Sequence, residues 1–108
     1  KRKIVIFQPH RYSRTQLLLD EFAGSFIHAD YLIITDIYAA GEQPIHGVNT
    51  QVLLKKIKER AANKEVVYLA KEEIVQHIKK IISPGDLVIT LGAGDILKVS
   101  DALAEELK

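Results

Sequence analysis

Short apolar runs alternate along the chain with longer segments in which apolar residues recur at helical spacing. Four runs rich in β-branched residues predict strands, at residues 4–7, 31–35, 65–69 and 87–91. Each run is almost continuously apolar instead of alternating with polar residues. We therefore expect strands that are covered on both faces, as in a parallel sheet.

The segments between these runs each predict a helix with one apolar stripe. The first begins at Ser13, and Gln16 three positions later has the spacing of a capping box. Later helices are predicted over about residues 50–62 and 72–82 and from about Asp95 onward. The residues expected to face inward are Leu18, Leu19, Phe22, Ala23 and Phe26, then Val52, Leu53, Ile57 and Ala61, then Ile74, Val75, Ile78, Ile81 and Ile82, and finally Ile96, Val99, Leu103 and Leu107.

This order of strands and helices, with short connections, predicts a doubly wound α/β fold. Its sheet is expected to be mostly parallel, with flanking helices and right-handed crossovers. A length of 108 residues suits one domain, which we assign to residues 1–108. The first predicted strand begins almost at once, after a first residue that is not Met, so we expect a piece of a longer protein.

The composition excludes several classes of function. The chain has no cysteine, which rules out disulfides, thiolate zinc sites and a cysteine nucleophile, and which favours a reducing compartment. The formal net charge of +1 gives no general attraction to nucleic acid or to an acidic membrane. The apolar runs are far shorter than the roughly 20 residues that span a bilayer. We therefore expect no nucleic-acid partner and no membrane segment.

Ligands of open α/β sheets bind outside the carboxyl ends of the strands, and the segment after the first strand is rich in basic residues there. Arg11 and Arg14 stand at the predicted start of a helix, where free N–H groups already give partial positive charge. Guanidinium groups match carboxylates and phosphates, so the segment predicts an anion site. The alternative is two surface arginines. His10, held by Pro9, either contacts the same ligand or bonds nearby backbone.

The segment after the second strand carries Asp36, Tyr38 and Glu42 around two alanines and a glycine. The small residues allow a ligand or another domain to approach the backbone closely. Asp36 is a candidate for contact with a ligand, and the alternative is an ion pair with an arginine of the first segment. In the loop that follows, His46 is expected to face solvent.

The segment after the fourth strand has Gly92 and Gly94 but fails as a dinucleotide fingerprint, because Leu97 takes the place of the third glycine. Asp95 suits a helix N-cap better than a phosphate contact. The sequence contains no P-loop, no convincing metal-ligand spacing and no serine in a nucleophile context. We therefore predict neither a metal site nor a catalytic residue within this chain.

Three of these segments, in this order, resemble the C-terminal domain of the Mur ligase family, which builds bacterial peptidoglycan. They are residues 7–15 (FQPHRYSRT), 36–42 (DIYAAGE) and 92–96 (GAGDI). The first segment is the most specific, and the likeness extends over essentially the whole chain. Gln8 departs from the family pattern, since many members have histidine there. The resemblance implies a Rossmann-like fold.

The resemblance also implies a three-domain cytoplasmic enzyme, in which an N-terminal domain binds UDP-N-acetylmuramate and a central domain binds ATP and Mg²⁺. This domain would deliver L-alanine, whose amine attacks an acyl phosphate of the muramyl carboxylate. By analogy, the alanine carboxylate would be bound by His10, Arg11 and Arg14. The pocket or the interdomain face would be formed by Asp36, Tyr38, Glu42, Gly92, Gly94 and Asp95. We predict that residues 1–108 alone have no ligase activity and bind ATP weakly.

Two other functions remain open from the residues alone. A Mur ligase that adds a different amino acid would use the same arginines, because every amino acid carries a carboxylate. A non-catalytic α/β module that binds a small anionic metabolite would also need the predicted anion site.

Overall fold

The four predicted strands form one parallel sheet. The computed structural model describes residues 2–17, 29–60, 65–92 and 96–107. The strands of the described part are β1 (Lys3–Phe7), β2 (Tyr31–Ile34), β3 (Glu65–Tyr68) and β4 (Leu87–Leu91), in the spatial order β3-β2-β1-β4. All three strand pairings are parallel, which confirms the predicted sheet and the strand positions to within one residue.

The helices of the described part are α1 (Tyr12–Leu17), α2 (Thr50–Arg60), α3 (Lys71–Ile81) and α4 (Ile96–Glu106). Leu53, Ile57, Ile74 and Ile78 are buried, as the helical spacing predicted. Leu107 is 39% exposed, so its predicted inward position is wrong: α4 ends one residue earlier. The apolar stripe expected from Leu18 to Phe26, and also Ala61, lie outside the described residues.

The sheet buries a separate apolar cluster on each face, which is the doubly wound arrangement. On one face Val5, Leu32 and Ile34 pack with Leu53 and Ile57 of α2. On the other face, the neighbouring strand positions pack against α3 and α4. That second cluster contains Ile4, Ile6, Ile33, Ile74, Ile78, Ile96, Val99 and Leu103. Alternate residues of β1 and β2 therefore serve opposite cores, which explains why their sequences are continuously apolar.

The edge strand β4 departs from this rule. Leu87 and Leu91 are 47% and 42% exposed, so the expectation that every strand is covered on both faces is wrong for β4. The reason is its position: β4 pairs only with β1 in the described sheet, and its outer edge has no neighbour there. No helix in the described part of the chain is long and apolar enough to span a membrane.

Local hydrogen bonds fix where the helices begin. The Asn49 side chain accepts from the Val52 backbone N–H at 2.9 Å, which is a regular N-cap of α2. At the start of α3, the Glu73 carboxylate accepts from the backbone N–H of Ala70 at 3.0 Å. These caps lie at the carboxyl ends of β2 and β3, so they set the geometry of the loops at that edge of the sheet.

Candidate functional site

The predicted segments meet at the carboxyl edge of the sheet. Phe7, the last residue of β1, is in register with Ile34 of β2 and with Leu91 of β4. The pairing of β1 and β2 continues into the loops, where His10 and Tyr38 form an isolated parallel bridge. The first and second segments are therefore joined through their backbones, as the parallel fold implied.

His10 and Tyr38 also contact each other through their side chains. Their rings stack at a centroid distance of 5.7 Å and an interplanar angle of 13°. Both residues are half-buried. The Tyr38 backbone N–H donates to the Pro9 carbonyl at 2.8 Å, and the Tyr38 carbonyl accepts from the Arg11 N–H at 2.7 Å. The structure thus brings these two predicted site residues together and fixes the imidazole against a ring.

Arg11 has a left-handed backbone, with φ at 67°. This conformation costs a non-glycine residue about 1 kcal/mol or more, and here hydrogen bonds on both sides hold it. The Arg11 carbonyl accepts from the backbone N–H and the hydroxyl of Thr15, at 3.1 and 2.7 Å. The Arg11 charge contributes to the lowered pKa of Glu42, and the side chains of Arg11 and Arg14 are both exposed. They remain available for a ligand.

The head of α1 receives a carboxylate from the second segment. Glu42 accepts hydrogen bonds from the Ser13 backbone N–H at 3.2 Å and from the Ser13 hydroxyl at 2.5 Å. The predicted capping by Ser13 is wrong, because α1 begins at Tyr12 and Ser13 therefore lies within its first turn. The two hydrogen bonds from Ser13, with smaller contributions from the Tyr12 backbone and the Arg11 charge, lower the pKa of Glu42.

A tight turn brings Glu42 to this position. Ala40 and Gly41 both have positive φ, at 51° and 87°, and the Glu42 N–H donates to the Ala39 carbonyl at 3.0 Å. The small residues noted in the sequence thus reverse the chain direction. Glu42, assigned to the pocket or interdomain face, lies in the same loop cluster as His10 and Arg11.

Asp36 pairs with a residue that the sequence did not single out. The Tyr68 hydroxyl, at the end of β3, donates to the Asp36 carboxylate at 2.5 Å. The partner of Asp36 in this structure is thus Tyr68, where the sequence offered an arginine of the first segment as the alternative. The hydrogen bond to Asp36, together with partial burial, raises the pKa of Tyr68 to about 12. The only sequence signal for Tyr68 was a polar tip at a strand's carboxyl end.

Asp36 and Tyr68 line a cavity of about 310 Å³ at this edge. The start of α1 and the first turn of α2 form other walls of this cavity. The remaining lining residues are Tyr12, Ile37, Asn49, Thr50 and Gln51. Within this set, Asp36 is the one residue with a charged side chain. The cavity therefore combines a carboxylate with two tyrosines and several amide or hydroxyl groups.

Gln8 connects the first segment to the glycine segment. Its side-chain carbonyl is buried and accepts from the Ile96 backbone N–H at 3.0 Å, at the start of α4. Gly92 lies so close to the backbone of Gln8 that a Cβ added at Gly92 would be 2.6 Å from the backbone carbonyl oxygen of Gln8. Gly92 is therefore a close-approach glycine, consistent with its predicted place in the site. Gly94 and Asp95 lie outside the described residues. His46 is exposed, as predicted.

Nothing in the described ranges resembles a site for ATP or Mg²⁺. No group of three or more His, Asp or Glu side chains there is placed to hold a metal ion. The cavity's donor set has one carboxylate, and its nearest helix start is already capped by Asn49. The donor set of this cavity therefore does not fit a nucleotide with its metal.

Comparison with known proteins gives a consistent result. The family model described as Mur ligase, glutamate ligase domain, matches residues 1–94. The UDP-N-acetylmuramate–L-alanine ligase of Geotalea uraniireducens is 50% identical over 109 residues, which cover 100% of this chain and 24% of that protein. The enzyme of the same name from Desulfatibacillum aliphaticivorans is 48% identical over 103 residues, covering 94% of this chain and 22% of that protein.

A solved structure agrees with these relatives. The crystal structure of the UDP-N-acetylmuramate–alanine ligase of Thermotoga maritima matches with a TM-score of 0.68 and 25% sequence identity. The match covers 99% of this chain and 20% of that one. The chain thus spans about a quarter of the length of the relatives that it matches, or somewhat less.

Proposed function

The chain belongs to the Mur ligase family, and from this premise we propose that it is the amino-acid-binding C-terminal domain of a cytoplasmic UDP-N-acetylmuramate–L-alanine ligase. Such an enzyme joins L-alanine to UDP-N-acetylmuramate at the expense of ATP in peptidoglycan synthesis. Residues 1–108 form one of its three domains. By the resemblance to the family, the other two hold the UDP-sugar and make most of the contacts to ATP and Mg²⁺.

The observation that carries the proposal is the pair of exposed arginines at the carboxyl edge of the sheet. Arg11 is held in a fixed backbone conformation and Arg14 lies one turn along α1. The Glu42 carboxylate already accepts hydrogen bonds from the backbone N–H and the hydroxyl of Ser13. The backbone at this helix start is therefore not the anion site. The guanidinium groups are therefore the groups that bind the alanine carboxylate, with His10 beside them.

Holding the carboxylate orients the amine of alanine toward the activated muramyl carboxyl group. Fixing both reactants in one geometry removes much of the entropic cost of their meeting, worth several kcal/mol of barrier. Closure of this domain over the ATP-binding domain would exclude water, which protects the activated carboxyl group from hydrolysis. Asp36, Tyr38 and Gly92 form the remaining walls of the amino-acid site.

The names of the relatives favour L-alanine over another amino acid, because each of those reported above is an alanine ligase. The test is a ligation assay of the full-length polypeptide with UDP-N-acetylmuramate, ATP and one amino acid at a time, read by mass spectrometry. We expect product with L-alanine, and none when the 108-residue chain is assayed alone. Preferred addition of another amino acid would identify a sibling ligase. If no amino acid gave a product, the result would favour the alternative function, a non-catalytic α/β module that binds a small anionic metabolite.

A further inference from the structure

The Asp36–Tyr68 pair has no part in the carboxylate contacts described above, yet it lines a cavity of about 310 Å³ beside them. Tyr68 belongs to β3 and lies outside the three recognisable segments. Its hydroxyl donates to Oδ1 of Asp36 at 2.5 Å. Both side chains line the same cavity, which Tyr12 borders on the side of the arginines.

We propose that Tyr68 is a positioning residue that holds the Asp36 carboxylate toward this cavity, where it receives the amino end of the incoming amino acid. This inference rests on the proposed function. It extends that function by assigning the second charged end of the zwitterion, and it adds a residue from a strand that the family segments do not include.

Hydrogen-bond capacity supports the assignment. The Tyr68 hydroxyl donates to Oδ1 of Asp36 and uses one acceptor site of the carboxylate. A carboxylate has acceptor sites on both oxygens, so Oδ2 retains capacity for an N–H donor. Asp36 is exposed, and a short hydrogen bond to a ring at the end of a strand restricts its rotamers. A preorganised acceptor loses less entropy when a ligand binds.

The charge pattern at this edge points to the same ligand class. Among the described cavity residues, the single charge is the negative one of Asp36. Arg11 immediately precedes Tyr12 of the cavity wall, and its backbone N–H bonds to Tyr38, two positions after Asp36. A negative cavity next to a positive arginine segment complements a ligand that carries an amine and a carboxylate on the same carbon atom.

The test is a double-mutant cycle in the full-length enzyme, with Tyr68→Phe, Asp36→Asn and both together. Tyr68→Phe keeps the ring and removes only the hydroxyl. We expect it to raise the KM for L-alanine about tenfold, which is the scale of one hydrogen bond to a charged group, and to leave the KM for ATP and UDP-N-acetylmuramate unchanged. In the Asp36→Asn background, Tyr68→Phe should then add less than about twofold.

Two controls separate positioning from a general structural effect. Tyr31→Phe removes a phenol hydrogen bond of similar length, 2.7 Å to His77, at the opposite end of β2, and should leave the KM for L-alanine unchanged. Propionate keeps a carboxylate but lacks the amine, so its inhibition constant should be the same for the wild type and for Tyr68→Phe.

The inference is overturned if Tyr68→Phe retains the wild-type KM for L-alanine. It is also overturned if the fold-changes in this KM caused by Tyr68→Phe and Asp36→Asn multiply fully in the double variant, or if Tyr68→Phe weakens inhibition by propionate as much as it raises the KM for L-alanine. A wild-type enzyme that ligates no L-alanine would instead reject the proposed function. The two failures are therefore distinguished by the wild-type assay alone.

Discussion

The carboxylate of Glu42 lies against the first turn of α1, where it accepts both the backbone N–H and the hydroxyl of Ser13. The contact joins the second loop segment to the first across 29 positions of sequence. It supplies the negative charge that the first turn of α1 lacks, since no acidic residue is present there.

Replacing this carboxylate should make the domain less stable in a pH-dependent way. Because the folded-state pKa of Glu42 is lowered, the contact stabilises the fold above the ordinary value of 4.5, and the stabilisation is lost as pH falls through the folded-state pKa. Glu42→Gln should therefore melt at a lower temperature than the wild type at neutral pH. The difference should shrink in acid.

Thermal unfolding followed by circular dichroism across this pH range checks the prediction. Glu59→Gln, on the exposed face of α2, is the matched control and should melt like the wild type. A Glu42→Gln variant with an unchanged melting temperature at neutral pH would show that the contact with Ser13 contributes nothing.

Gly92 should tolerate no side chain. An alanine there would have to adopt a φ of 134°, and its Cβ would lie only 2.6 Å from the backbone carbonyl oxygen of Gln8. We therefore expect Gly92→Ala to lower the free energy of unfolding by about 2 kcal/mol or more. Gly85 has a φ of 92° but open space around its Cβ position, and Gly85→Ala should cost about 1 kcal/mol. Denaturant unfolding measures both. Equal losses would mean that the close approach to Gln8 is unimportant.

The buried Gln8 side chain should stabilise the start of α4. Gln8→Leu removes the acceptor for the Ile96 N–H in a buried site, which should cost about 1–3 kcal/mol of the free energy of unfolding. Gln76→Leu, on the exposed side of α3, is a comparable change without a buried partner and should be close to neutral. Amide hydrogen exchange at Ile96 should become faster in Gln8→Leu and stay unchanged in Gln76→Leu. Unchanged exchange there would contradict the assigned contact.

Tyrosine titration tests the Asp36–Tyr68 bond independently of activity. The raised pKa means that the bond stabilises the fold while the phenol is protonated, below the ordinary value of 10.0, and that this is lost as pH rises through about 12. Burial also raises the pKa of Tyr31, so ultraviolet titration of the four tyrosines should include the step of Tyr68 at about 12 beside that of Tyr31. The diagnostic signal is the step at about 12. Tyr68→Phe or Asp36→Asn should each abolish it. A step at about 12 that survives both substitutions would belong to another tyrosine.

The sequence predicted the fold well because its signals are local. A continuously apolar run of β-branched residues identifies a buried strand without knowledge of its neighbours, and the stripes of α2 to α4 identify their buried faces in the same way. The exceptions are residues whose environment depends on the rest of the sheet. Leu87 and Leu91 have the composition of a covered strand, but β4 lies at an edge.

The site was predictable only in part for the same reason. The parallel order placed His10, Tyr38 and Gly92 at one edge, and the structure brings these segments together. The individual partners depend on strand register and turn geometry. Tyr68 reaches Asp36 over 32 positions, and Glu42 reaches Ser13 because of the turn at Ala40 and Gly41. Sequence spacing contains no information about such pairs.

The most direct test of the account is the steady-state kinetics of Arg11→Ala and Arg14→Ala in the full-length enzyme, with Lys58→Ala on α2 as a matched loss of an exposed cation. Each arginine variant should raise the KM for L-alanine about 10- to 100-fold, the scale of a charged hydrogen bond, with an unchanged KM for ATP and an intact fold. Lys58→Ala should behave like the wild type. A wild-type KM for L-alanine in both arginine variants would contradict the claim that these guanidinium groups bind the alanine carboxylate.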